Sequence, residues 1–275
     1  MDLSLELEVA LDAARHAAAR VMEVYATEFR VDWKGAGDPV TQADREANTL
    51  IAERLLGRFP QDHLCAEEDH PETASAQAAL GGRCWFVDPL DGTREFVDRN
   101  GDFAVMVGLA VDGAARLGVV LAPAWGRALV GIVGVGAWSL APDGTRTPLS
   151  VRDVPVGEAC LVASRSHRSP AVDAAARALG VGSVRPCGSV GLKAALVAAG
   201  EATLYLHAGD GPKLWDTCAP EALAVAAGAV VTDAYGEPLR YATARLAVDR
   251  GIVVAPASLG PRAARALREA IDGGM

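Results

Sequence analysis

The 275-residue chain has no run approaching the ~18 uncharged apolar residues that mark a membrane helix, so no such helix is expected. It is poor in cysteine: Cys65, Cys84, Cys160, Cys187 and Cys218 are odd in number, widely scattered and form no CxxC pair. That excludes a disulfide framework and a Cys-rich zinc site, and it suits a reducing compartment. Positive charge is also in deficit, with 26 Lys and Arg against 35 Asp and Glu and a formal charge of −9. Nucleic-acid polymers reward basic surfaces, so they are not expected partners; a small anionic ligand remains open where cations gather locally. The start, "MDLSLELEVALD", is acidic where a secretory signal would be basic, and a cytoplasmic address is the expectation. Dinucleotide and P-loop signatures are missing too: "GIVGVG" has the wrong spacing, and "GDGPK" lacks the following Ser or Thr.

What the chain does have is enough apolar residue, 51%, for a sizeable core, in a length that leans towards two domains or one large one. Leu7, Leu11, Ala14, Ala18, Val21, Val24 and Tyr25 fall near one helical face within residues 3–29, and a second helix is expected over about 42–58. Between them, "VDWKGAGDPVT" reads as a Gly-rich, exposed loop. From Phe103 to Ser150 the texture is that of strands. "FAVMVGLAV" and "ARLGVVLAP" flank Asp112-Gly113, a pair that accepts the positive φ angles of a type I′ hairpin. These strands are apolar on both faces, so both sides of the sheet should be covered. Beyond "VRDVPVGE" strands ("CLVAS", "SVRPC", "ATLYL", "AVVTD", "GIVVA") alternate with helical runs near 170–179, 190–199, 217–227 and 262–271, as in an α/β unit. The expected division is an N-terminal α+β half, residues 1–152, and a C-terminal α/β half, residues 153–275.

The chemistry concentrates in "DPLDGTRE", which follows the apolar run Cys84 to Val87. Pro89 holds Asp88 in extended geometry. Gly92 lets backbone come close to a ligand, and the N–H groups of Gly92 and Thr93 suit an anion if a helix turn begins there. A polar strand-to-turn junction explains one carboxylate; the second requires a reason. An EF-hand loop is excluded, because with Gly92 at its sixth position the first ligand position is Val87. Other acids stand in comparable places. Glu67 and Glu68 follow a short apolar run and could be a solvated corner. Asp216 precedes a helical run and could be an N-cap. Asp44 pairs with Thr41 as a capping-box variant.

"DPVTQAD", "EED", "WFVDPLDGTREF" and "WDTCAPEALAVAAGAVVTD" occur in this order, and together they resemble the inositol monophosphatase-like superfamily of magnesium-dependent, lithium-sensitive phosphomonoesterases. The likeness runs from the first helix to "GIVVA". Within the superfamily, "DPLDGTREF" and "KLWDTCAPE" are most similar to the 3′(2′),5′-bisphosphate nucleotidases; inositol monophosphatases usually read DGTTNF. The resemblance implies a layered αβαβα sandwich of the inositol monophosphatase and fructose-1,6-bisphosphatase type. It implies a first Mg²⁺ on Glu67, Asp88 and the Leu90 carbonyl, a second on Asp88, Asp91 and Asp216, and a third held with the help of Asp44. Four converging carboxylates without cations would repel by roughly 15–20 kcal/mol, more than the ~5–15 kcal/mol stability of a typical domain. Hard oxygen donors favour Mg²⁺.

The implied reaction is hydrolysis of a phosphomonoester by a metal-activated water, with Asp44, Thr93 and Glu67 orienting the water and accepting its proton, and 3′-phosphoadenosine 5′-phosphate giving AMP and phosphate. Asp91, Gly92, Thr93, Lys34, His167, Ser189 and Lys193 are the implied substrate-side residues. Plain alternatives stand beside two of them: an exposed helix lysine for Lys193 and a surface-loop histidine for His167. Many relatives carry Arg near the position of His207, which weakens the nucleotide reading. The alternatives are inositol 1-phosphate or another small sugar or nucleoside phosphate as substrate, and a metal-dependent binding protein without catalysis. Relatives in this superfamily are often homodimers.

Overall fold

The computed structural model describes residues 1–35, 38–166, 169–209 and 211–273, and for residues 33–35, 38 and 39 the backbone alone. The elements in the first part are α1 (Ser4–Tyr25), β1 (Val31–Gly35), β2 (Asp38–Thr41), α2 (Gln42–Arg58), β3 (His63–Ala66), α3 (Pro71–Ala79), β4 (Arg83–Asp91), α4 (Thr93–Val97), β5 (Ala104–Val111), β6 (Ala114–Ala122), β7 (Arg127–Ile132), β8 (Gly136–Leu140) and β9 (Arg146–Pro148). They are followed by β10 (Cys160–Ser164), α5 (Pro170–Leu179), β11 (Ser183–Cys187), α6 (Val190–Ala198), β12 (Leu204–His207), α7 (Leu214–Ala226), β13 (Ala229–Thr232), β14 (Ile252–Pro256) and α8 (Gly260–Asp272).

β3 to β9 form a seven-stranded sheet in sequence order, parallel only between β3 and β4. The β5–β6 hairpin turns at Asp112 (φ +52°) and Gly113 (φ +75°), as the Asp-Gly pair predicts. A second sheet runs β11-β10-β12-β14-β13, parallel across its first three strands and antiparallel in the rest. Every residue of β5 is buried, because the seven-stranded sheet is covered on both faces. One apolar cluster joins α1 and α2 to one face. Another joins the opposite face to α6, α7 and the second sheet, and a third packs α5 and α8 on that sheet's far side. The layers are therefore αβαβα, the expected sandwich.

Two local readings change. "VDWKGAGDPVT" is not simply a loop: β1 and β2 pair antiparallel, Val31 opposite Thr41 and Asp32 opposite Val40. And α7 starts at Leu214, one turn earlier than its sequence pattern suggests, so Asp216 lies inside its first turn rather than ahead of it.

Candidate active site

Successive strand residues point to opposite faces, so Asp88 and Asp91 on a regular β4 would diverge. The ladder to β5 prevents this. Asp88 pairs with Met106 and Asp91 with Ala104, which places three steps on β4 against two on β5. The extra residue is a bulge that turns both carboxylates to one side. Asp88 Oδ1 accepts the Leu90 N–H at 2.9 Å and holds the turn from within. Gly92 then adopts φ +92°, and a Cβ there would meet the Asp102 carbonyl oxygen at 2.8 Å, so only glycine fits.

Asp216 arrives from α7, where its Oδ2 accepts the Lys213 N–H at 2.6 Å at the N-terminal, positive end of the helix dipole. Asp88, Asp91 and Asp216 each bring a ligand atom within 4.8 Å of the others. Glu67 comes from the end of β3, whose parallel pairing sets Ala66 opposite Val87 and whose Glu67 N–H donates to the Val87 carbonyl at 3.1 Å. Its charge reaches Asp88. The corner formed by Glu67 and Glu68 is half-buried, and Glu68 likewise acts on Asp44, so this is not a solvated acidic corner.

Burial, then the charges of Glu67, Asp91 and Asp216, push the Asp88 carboxyl well above its ordinary range. Burial and then Asp91 push Asp216 up to about 7, against the lowering effect of the Lys213 N–H. Asp44 rises to about 6, mainly by burial. The crowded carboxylates of Asp88, Asp91 and Asp216, of which Asp88 and Asp216 resist ionisation, offer hard oxygen donors with no soft ligand in the set and fit a divalent cation of the Mg²⁺ type.

Asp44 forms the expected capping box: Oδ2 accepts the Thr41 N–H at 2.7 Å and the Thr41 hydroxyl at 2.6 Å, at the start of α2. Its other oxygen faces the Thr93 hydroxyl at 3.2 Å, and that hydroxyl also lies 3.1 Å from the Leu90 carbonyl oxygen. Asp44, Thr93 and Leu90 thus meet beside the acidic cluster.

The fourth wall is the start of α6. Ser189, at φ +58°, donates its hydroxyl to Asp91 Oδ2, and the Gly191 N–H donates to the same oxygen at 2.7 Å. Lys193 is not an exposed helix lysine: it is 4% exposed, its Nζ donates to the Ser189 carbonyl at 2.6 Å, and it lies 5.4 Å from the Tyr205 ring centre. Burial lowers its pKa while the charge of Asp91 opposes that. The buried Tyr205 hydroxyl has no hydrogen-bond partner among the described residues; burial, then the charges of Asp91 and Asp216, drive its pKa well up.

His167 lies outside the described residues, as does the side chain of Lys34. Residues that the sequence did not single out are Asp102, Glu95 and Tyr205. Asp102 stands in "RNGDF", a turn opening an apolar strand in the same way as "VDPLDG" closes one, and that repetition was the available signal.

Comparison with known proteins follows the same lines. The profile of the inositol monophosphatase family matches residues 2–272. A 3′(2′),5′-bisphosphate nucleotidase CysQ of Escherichia coli O157:H7 is 39% identical over 237 residues, covering 86% of this chain and 93% of that one. Among solved structures, CysQ from Bacteroides thetaiotaomicron superimposes with a TM-score of 0.77 at 29% identity, over 91% of this chain and 97% of the other. An inositol monophosphatase from Anabaena (Nostoc) sp. PCC 7120 gives 0.76 at 26% identity, over 98% and 97%.

Proposed function

Since the chain belongs to the inositol monophosphatase family, whose members hydrolyse phosphomonoesters, we propose that it is a Mg²⁺-dependent phosphatase acting on a 3′(2′),5′-bisphosphate nucleotide, with 3′-phosphoadenosine 5′-phosphate giving AMP and phosphate. The observation that carries the chemistry is the convergence of Asp88, Asp91 and Asp216 within 4.8 Å, beside the Asp44–Thr93 pair. The nucleotide assignment rests on relatives of that activity at 39% identity and on Arg94-Glu95 after Thr93. Asp88, Asp91 and Asp216, with Glu67 and the Leu90 carbonyl, are the residues that would hold two Mg²⁺ ions, and Asp44 would help hold a third. When bound, the ions polarise the phosphate and lower the pKa of the attacking water.

The chain's own groups do the rest. Ionised Asp44 draws the Thr93 hydroxyl proton to itself, which leaves a Thr93 lone pair to accept a hydrogen from the water and fix its attack direction. Glu67 and Asp44 are assigned as the bases that take the released proton. The N–H groups of Gly92 and Thr93 are assigned to the phosphate oxygens, and Ser189 and Lys193 to the substrate side; Lys34 and His167 join them on the sequence resemblance alone. Among the described residues no helix is long and apolar enough to cross a membrane, and a cytoplasmic setting is part of the proposal.

The test is Mg²⁺-dependent phosphate release from 3′-phosphoadenosine 5′-phosphate, its sulfated form, inositol 1-phosphate and fructose 1,6-bisphosphate, side by side. A kcat/KM at least tenfold higher on the two nucleotides supports the assignment. A preference for inositol 1-phosphate or the sugar bisphosphate overturns the substrate but keeps the reaction. No release from any of them overturns the nucleotide assignment and leaves either another small phosphate ester or a binding protein.

A further inference from the structure

Asp91 has two carboxylate oxygens and two tasks. Its Oδ2 is taken by the Ser189 hydroxyl and the Gly191 N–H, while the same carboxylate brings an oxygen within 4.8 Å of ligand atoms of Asp88 and Asp216. The direction of Asp91 is therefore set by the turn at residues 187–191, more than ninety residues along the chain. That turn contains Ser189 at φ +58°, a conformation that is strained for a non-glycine residue and persists only when its surroundings hold it.

Asp102 does the holding. Just before β5, it is 8% exposed, and its Oδ2 accepts the Gly188 N–H at 3.0 Å. The same oxygen accepts Arg165 Nη2 at 2.7 Å and Nε at 3.1 Å, while the Arg165 N–H donates to the Cys187 carbonyl at 3.1 Å. The carboxylate thus grips the turn directly at Gly188 and through Arg165 at Cys187. The main chain of Asp102 adds a second grip. Its carbonyl oxygen lies where a Cβ on either Gly92 or Gly188 would come within 2.8 Å, so it is wedged between the Asp91-Gly92-Thr93 turn and the Gly188-Ser189 turn. Glu95 closes the same joint: a Cβ on Gly188 would lie 2.4 Å from Glu95 Cγ, and the Ser166 hydroxyl bonds Glu95 Oε1.

We propose that Asp102 is a positioning residue for the reaction: by clamping the Gly188-Ser189 turn against the Asp91-Gly92-Thr93 turn, it sets the orientation of Asp91 and with it the affinity of the site for Mg²⁺. This deepens the phosphatase reading and rests on it. Charge and geometry act in the same direction, because deleting Asp102 removes a nearby negative charge as well as the anchor of the turn.

The experiment compares the native protein with D102A, D102N and G188A, measuring Mg²⁺ binding by calorimetry, thermal unfolding, and kcat and KM separately at saturating Mg²⁺. D102A is expected to weaken Mg²⁺ binding at least tenfold and to lower kcat at least tenfold, with KM changed by less than threefold. D102N keeps an acceptor for the Gly188 N–H and is expected to lose about threefold in each. G188A forces the same joint apart from its other side and is expected to follow D102A; should D102A not fold, these two variants decide. A folded variant that unfolds at lower temperature yet keeps Mg²⁺ affinity and kcat within twofold of native overturns the proposal, and so does a change confined to KM. If native protein binds Mg²⁺ but hydrolyses none of the four esters, the function reading fails, while the effect of Asp102 on Mg²⁺ affinity still decides this one.

Discussion

The Thr93 hydroxyl stands 3.2 Å from Asp44 Oδ1 and 3.1 Å from the Leu90 carbonyl oxygen, so a single proton has two acceptors. An ionised carboxylate is the stronger of the two. Donation to Asp44 leaves the Thr93 oxygen free to accept from a water, which is the role assigned to it in the proposed reaction. T93V keeps the shape and removes the hydroxyl, and is expected to lower kcat by about 10²–10³ with KM nearly unchanged. T93S should keep kcat within about tenfold of native. Steady-state kinetics at saturating Mg²⁺ reads both, and a T93V enzyme as fast as T93S would remove Thr93 from the reaction.

Much of this site was legible in the sequence because its parts are local. The Asp112-Gly113 hairpin, the α2 boundaries and the Thr41–Asp44 capping box each depend on residues within a few positions of one another. What was not legible depends on register or on distant partners. Asp88 and Asp91 share a face only because β4 carries one extra residue opposite β5, and no local pattern announces a bulge. The alternative of an exposed helix lysine stood open for Lys193 because its compensation, the Ser189 carbonyl and the Tyr205 ring, appears only once α6 and β12 pack together. The turn at "RNGDF" marks Asp102 only as another acid beside a strand; its partner, the Gly188 N–H, comes from 86 residues away. The β1–β2 pairing was hidden by the polar and glycine-rich composition of its strands.

The acidic cluster should make the metal-free protein unstable in proportion to its crowding. Like charges within about 4–5 Å cost roughly 3–4 kcal/mol per pair at an effective dielectric of 20. D88N removes the most enclosed member and is expected to stabilise the metal-free protein by about 2–4 kcal/mol in urea unfolding while abolishing phosphate release. Mg²⁺ should raise the unfolding temperature of the native protein, and a chelator should lower it; in D88N that shift should be lost. A D88N protein less stable than native without metal would contradict the repulsion.

Glu221 gives a pH signature away from the metal ligands. Its carboxyl accepts the Tyr241 hydroxyl at 2.6 Å, and burial raises its pKa from 4.5 to about 7 in spite of that bond. The folded state then holds a proton between those two values that the unfolded chain has released, so stability falls as pH rises through this window and levels off above 7. The fall is at most about 3–4 kcal/mol, from 2.5 pH units at 1.36 kcal/mol each. E221Q keeps an acceptor for Tyr241 and cannot ionise. With Mg²⁺ saturating, urea unfolding at pH 5 and pH 8 should show E221Q gaining about 2–3 kcal/mol over native at the higher pH and little at the lower. Equal pH slopes in the two proteins would place the titration elsewhere.

The placement of Asp216 on α7 depends on glycines in the seven-stranded sheet beneath that helix. Gly108, Gly118 and Gly131 line β5, β6 and β7 under α7. A Cβ on Gly118 would lie 2.0 Å from the Ala219 carbonyl oxygen; on Gly108 it would be 2.6 Å from the Ala219 nitrogen, and on Gly131 2.8 Å from Leu223 Cα. These are backbone atoms in the middle of a helix and cannot swing aside, so any side chain there lifts α7. Asp216 sits one turn nearer the start of that helix and would move with it. G118A is therefore expected to cost about 3 kcal/mol or more and, in the molecules that still fold, to weaken Mg²⁺ binding as well. Gly57, at the end of α2 with open space around it, supplies the contrast: G57A should stabilise by about 0.5–1 kcal/mol and leave phosphate release unchanged. A G118A protein as stable and as tight for Mg²⁺ as G57A would mean that α7 does not need the flat glycine floor to bring Asp216 to Asp88 and Asp91.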